Sequence, residues 1–195
     1  MNTRTFIRRR RAPGVALIMT VIVLVLAGVL MLALARAALN AERSAGAERD
    51  RVLAMAAAEA ALRDAEADIE GADPRRAPFF DGSGAGFVEA CGALTHPNAG
   101  LCWPPAAALP AVDFDSADAH ARSVPYGRFT ARVLQTGTGP LPRRLPRYVI
   151  ELLRPAVAGE DAGRRAPVYR ITAAGFGADA ETRVLLQAYY RRAAP

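Results

Sequence analysis

The stretch Val15–Ala35 reads VALIMTVIVLVLAGVLMLALA, about 21 residues without a charged side chain. At ~1.5 Å per helical residue it spans a hydrocarbon core of ~30 Å. No Pro interrupts it, and the next Pro after it is Pro74. The periodic, Ala-rich pattern continues to about Gly71. The stretch therefore predicts one very long helix, with a transmembrane half over 15–35 and an amphipathic half over 36–71, followed by a small domain.

Before it stands MNTRTFIRRRRAPG, short, basic and free of acids. Five Arg ahead of an apolar run hold that end in the cytoplasm by the positive-inside rule, and place the rest across the membrane. A secretory signal peptide has the same polarity, and Ala33-Leu34-Ala35 is an A-x-A-like site. The apolar run, however, exceeds the 7–15 residues of a usual h-region, and the helical pattern passes straight through that site. A plain uncleaved anchor is the other reading. The formal charge of +6 resides mostly in this leader. Beyond it the chain is polarised, acidic over 36–120 and basic over 121–195, so whole-chain charge says little about nucleic acid.

In the upper helix Val52, Met55, Ala58, Leu62, Ala65 and Ile69 recur at steps of three and four and form one face. It reads as a face that the following domain covers, or as a surface for other helices. In the lower half Gly28, Ala33 and Ala37 let another backbone approach closely, and here partner helices are the reading, because the chain has no second membrane stretch. Gly71-Ala72-Asp73-Pro74 ends the helix. A loop-rich segment over 72–124 follows, punctuated by Gly82, Gly84, Gly86, Pro104, Pro105 and Pro110. Within it Asp113, Asp115, Asp118 and His120 are the one cluster resembling metal ligands. No Gly at the turn position and no Glu at the twelfth exclude an EF-hand; a solvated acidic loop with no metal is the reading, and a looser Ca²⁺ site is the alternative.

From Tyr126 the period changes to two, and Phe129, Ala131 and Val133 alternate with Arg128, Thr130 and Arg132. This predicts a strand, followed by others over Tyr148–Leu153, Val168–Phe176 and Thr182–Tyr190, the last two joined by a turn at Gly177–Ala180. Four strands make an antiparallel head over 125–195, whose single apolar face needs a cover. The upper helix has the only long apolar stripe available. The expected fold class is α+β, a long N-terminal helix packed on a four-stranded antiparallel sheet.

The leader ending in Gly14, followed at once by Val15-Ala16-Leu17-Ile18, resembles the type III signal peptide of type IV pilins. Further on, Ala41-Glu42-Arg43, Gly46, Arg49-Asp50-Arg51 and Ala57-Ala58-Glu59-Ala60-Ala61-Leu62-Arg63 resemble the PilX group of minor pilins, as do Tyr169–Ala173 and Val184–Gln187. The resemblance implies cleavage by a prepilin peptidase between Gly14 and Val15, methylation of the new N-terminus, and single-pass storage in a bacterial inner membrane with the domain in the periplasm. It implies incorporation into a pilus through an assembly platform, packing against other minor pilins and the major pilin, and a large tip adhesin above. Most pilins carry Glu five residues after the cut; here that position is Met19. An unpaired carboxylate in a bilayer costs several kcal/mol, and in the family it pairs with a neighbour's N-terminal amine. Met19 cannot, which suits a rare tip position, or a minor component that tolerates the loss.

The only two cysteines, Cys91 and Cys102, have 10 residues between them. In an oxidising periplasm they are expected to form a disulfide contributing ~2–3 kcal/mol by the chain-entropy model. The alternative is a free nucleophilic Cys with His96. Trp103 beside them reads as packing rather than a binding platform. No P-loop, G-x-S-x-G, H-E-x-x-H or dinucleotide fingerprint is present, so no enzyme and no cofactor are expected. Three functions remain: a minor pilin in a priming or tip complex, with a type II secretion pseudopilin as its near relative; a DNA-binding head using Arg143, Arg144, Arg147, Arg164, Arg165, Arg191 and Arg192; and an anchored or secreted domain unrelated to pili.

Overall fold

The computed structural model describes residues 13–103, 112–116, 118, 121–153 and 167–192. It has one long helix, α1 (Pro13–Ile69), a 3-10 turn at Ala77–Phe80, and five strands: β1 (Leu101–Cys102), β2 (Val124–Pro125), β3 (Arg147–Leu153), β4 (Val168–Phe176) and β5 (Arg183–Tyr190). The chain divides into two compact units, residues 1–47 and 48–195. In the first, every described residue is helical.

The second unit holds the sheet. Helix α1 stops through a Schellman arrangement: the Ala72 N–H donates to Ala67 O and the Gly71 N–H to Asp68 O, with Gly71 at φ +92°. The strand order is β1-β3-β4-β5, with β2 also on β3. β3, β4 and β5 form an antiparallel meander, running from Arg147↔Ala174 to Leu153↔Val168 and from Phe176↔Arg183 to Tyr169↔Tyr190. Along the other edge of β3, β2 pairs antiparallel at Tyr148 and Arg147, and β1 pairs parallel at Ile150 and Glu151. The sheet is thus mixed and five-stranded rather than four-stranded and purely antiparallel.

The difference lies at 126–133. Residues 126–130 form a turn, and the Ala131 N–H returns to Gly127 O with Ala131 at φ +57°. The alternation that predicted a strand is consumed locally. The Asp64 carboxylate takes the Gly127 N–H (2.8 Å) and the Thr130 hydroxyl, and Phe129 is buried beneath the Arg76 guanidinium, 3.8 Å from its ring centroid. Val133 is left 88% exposed. The fourth and fifth strands come instead from β1 and β2, too short to show a period.

Both faces of the sheet are covered. On one, Ala61, Ala65 and Ile69 of α1 meet Tyr148, Ile150, Leu152, Tyr169, Ile171 and Ala173. On the other, Cys91, Cys102 and Phe114 cover Val149, Ala174 and Phe176. The buried helical positions are Ala54, Ala57, Ala58, Ala61, Asp64, Ala65, Asp68 and Ile69. This corrects the expected intramolecular face. Ala58, Ala65 and Ile69 lie on it, Leu62 flanks it, and Val52 and Met55 are 58% and 46% exposed. The reason is close approach: a Cβ added to Gly175 of β4 would stand 2.0 Å from Ala54 O and 2.3 Å from Ala58 N. Strand backbone rests on helix backbone, so small residues rather than large ones mark the contact. The β4–β5 turn is held by the same helix, since the Asp50 carboxylate accepts the N–H groups of Ala178 and Asp179.

Gly175→Ala forces helix and strand apart. It is expected to lower unfolding free energy by about 3 kcal/mol, measured by denaturant titration of the detergent-solubilised full chain.

Candidate functional site

In the first unit the notable feature is apolar surface without a partner. From Val15 to Leu34 every Val, Leu, Ile and Met is between 48% and 71% exposed. At ~1.5–3 kcal/mol per such side chain, covering this surface is worth on the order of tens of kcal/mol. The helix is long and apolar enough to cross a membrane. The single polar side chain between Val15 and Ala35, Thr20, donates to Leu17 O (2.8 Å) and leaves no orphan hydroxyl. Gly14 and Gly28 have open space where a Cβ would stand, and Val15, Ala33 and Ala37 are exposed. Of the proposed leader, residues 1–12 lie outside the described residues.

In the second unit the organising group is Arg76, with a side chain fully withdrawn from solvent. Its Nε and Nη2 donate to the two Asp68 carboxylate oxygens at 2.8 and 2.7 Å. Nη1 donates to the carbonyls of Pro97 and Ala99. The Tyr148 hydroxyl donates to Asp68 Oδ2 (3.0 Å), and the guanidinium also lies 5.7 Å from the Phe80 ring centroid. One cation thereby ties α1, the loop after it and β3 together. Burial pushes the Asp68 carboxyl upward against the opposing pull of Arg76, and the Tyr148 phenol is driven well up by the same burial. Sequence reasoning missed this network. The available signal was Asp64 and Asp68, four apart, between Ala61, Ala65 and Ile69 on what is otherwise an apolar face.

Cys91 and Cys102 are joined in a disulfide. It fastens β1 to the loop before it, where the Trp103 N–H donates to Val88 O (2.8 Å) and Arg122 reaches Cys91 O (2.6 Å). Trp103 is half-buried and packs against the main core, and a Cβ on Gly84 would meet its ring at 2.6 Å. His96 is thus no partner for a free thiol.

The other sequence candidates are spent on structure. Asp113 accepts the Asp115 N–H (2.7 Å), and Asp115 pairs with Arg144 and Arg183. Among the described residues no group of His, Cys, Asp and Glu is arranged to hold a metal; His120 lies outside them. Among the described residues the proposed Arg patch does not assemble as a free cationic surface. Arg147 is buried on Ser123 (2.8 Å to Oγ), Arg144 stacks 3.8 Å over Phe176, and Arg192 lies 3.8 Å from Glu70. Arg143 and Arg191 are exposed, while Arg164 and Arg165 lie outside the described residues.

Two family models match the chain. One, described as PilX N-terminal, covers residues 14–63; the other, described as Type IV pilus assembly protein PilX C-term, covers residues 83–192, more than half of the chain. No curated protein and no solved structure gives a significant match.

Asp68→Asn leaves the Arg76 charge buried without its counter-ion and is expected to cost about 3–5 kcal/mol of stability. Tyr148→Phe, which removes one neutral donor, should cost about 1 kcal/mol; thermal and denaturant unfolding separate the two. Reduction of the Cys91–Cys102 bond by dithiothreitol is expected to lower stability by ~2–3 kcal/mol in the same assay.

Proposed function

Because the chain belongs to the PilX family of type IV pilus assembly proteins, we propose that it acts as a minor pilin, stored in the inner membrane through α1 and then packed with other pilin helices in a priming or tip complex. The family is one of structural pilus components, so the work is packing rather than catalysis. The observation that carries the reading is the Val15–Leu34 surface, apolar on every side and exposed among the described residues. Lipid satisfies it in storage, and neighbouring helices satisfy it in the filament.

The small positions Gly28, Ala33 and Ala37 are where we place close helix contacts. In the second unit Val52 and Met55 are exposed rather than covered by the sheet. Met19 brings no carboxylate to pair with a neighbour's amine, which supports a rare position over repetitive shaft packing. In this reading prepilin peptidase cuts between Gly14 and Val15, the N-terminus is cytoplasmic and the second unit periplasmic. The partners are other minor pilins, the major pilin, the assembly platform and a large tip adhesin.

N-terminal sequencing of protein from sheared pili is the test. A methylated start at Val15, at far below one copy per major subunit, is expected. A start at Met1 means a plain anchor and a start just past Ala35 means ordinary signal peptidase; either overturns the proposal.

A further inference from the structure

β5 is the last strand of the sheet, and its outer edge has no backbone partner among the described residues. Natural edges of this length are usually protected by charge, Pro or a bulge. β5 has none of these past its first residue. Val184–Tyr190 contains no charge, Pro or Gly, and its pairing with β4 is unbroken. The Gly177 N–H donates to Thr182 O at the turn. By the alternation of an antiparallel ladder, the N–H groups of Arg183, Leu185, Gln187 and Tyr189 therefore point away from β4. Such a row of donors and acceptors is matched by an extended polypeptide. Beside it Leu185 and Tyr189 are 51% and 64% exposed.

The helix flank below this edge is chemically marked. Tyr190 donates to Glu70 (2.6 Å), and Leu62 and Tyr190 pack against the same core, which fixes the flank of α1 that lies toward β5. The opposite flank carries Asp64, committed to Gly127 and Thr130. At steps of three and four, Met55, Glu59, Leu62 and Glu66 share the β5 flank. Met55 is 46% exposed. Glu59 is paired with Arg63, whereas half-buried Glu66 makes no side-chain hydrogen bond or ion pair among the described residues.

We infer that the outer edge of β5 is a strand-acceptor site, where an extended segment of another pilus-assembly polypeptide adds to the sheet, setting apolar side chains on Met55 and Leu62 and a Lys or Arg against Glu66. The edge stands independently, but the partner's class rests on the assembly role proposed above. A second copy of this chain is the poorer occupant. Two β5 edges paired about a two-fold axis would bring Glu59, Glu66 and Glu70 of each copy alongside those of the other, like charge against like.

Hydrogen–deuterium exchange of the full chain tests this, comparing protein purified alone in detergent micelles with protein in the pilus-bearing membrane fraction. The amides of Leu185, Gln187 and Tyr189 are expected to exchange at least about 10-fold more slowly in the membrane fraction. Gln187→Pro, which deletes an outward N–H, should abolish that protection. Leu185→Lys, which keeps the backbone intact, should weaken it without lowering the melting temperature. Equal exchange in the two samples overturns the inference. Protection in the purified sample that rises with protein concentration, together with a dimer mass, also overturns it and assigns the edge to a second copy. The N-terminus read on the same material keeps the two proposals apart: a Val15 start with unprotected β5 sinks only the acceptor site, and a Met1 start with protected β5 sinks only the pilin processing.

Discussion

A single buried guanidinium organises the second unit. Arg76 spends its donors on Asp68, Pro97 and Ala99 and its faces on Phe80 and Phe129. The helix end, the loop that leaves it and the turn at 126–130 all converge on that one group. Burying an ion pair is expensive, and a pair of apolar residues could match its stability. What it supplies is position. A planar fork with fixed donor directions accepts only one arrangement of the three segments. Disruption of either partner strands a charge where no water reaches it.

Against that polar clamp stands a contact made almost without side chains. Gly175 sits on the backbone of Ala54 and Ala58, and the alanines at 57, 61 and 65 keep the interface thin. Helix and strand approach until main chain meets main chain, and Asp50 fastens the adjoining turn. A contact of this kind tolerates no added methyl group. It also frees larger residues of α1, such as Val52 and Met55, for other uses. On the far face the disulfide and Phe114 complete a second, smaller core over Val149, Ala174 and Phe176.

Much of this was legible in the sequence. The charge-free run and the uninterrupted Ala pattern gave the helix and its end near Gly71, and the apolar runs over 148–153, 168–176 and 182–190 gave β3, β4 and β5. The failures share a cause. Sequence period reports what a side chain prefers, not what captures it. At Phe129–Val133 the alternation was genuine, yet Asp64 and Arg76, more than 50 residues away along the chain, hold the segment as a turn. On α1, hydrophobic size pointed to Val52 and Met55, whereas the buried side is the one made of the smallest residues. The Arg76–Asp68 pair had half a signal: Asp64 and Asp68 interrupt the small-residue face of α1, but nothing in the sequence around Arg76 marks it as the partner of Asp68. Strands of two residues, β1 and β2, have no period to read.

The two margins of the sheet differ in kind. Beside β3 lie two short pieces running in opposite directions, β2 antiparallel at Tyr148 and β1 parallel at Ile150. The outer side of β1 is already taken, since Val88 bridges Cys102 and its N–H donates to Leu101 O. Of the two margins, only the one along β5 presents a continuous unpaired edge among the described residues.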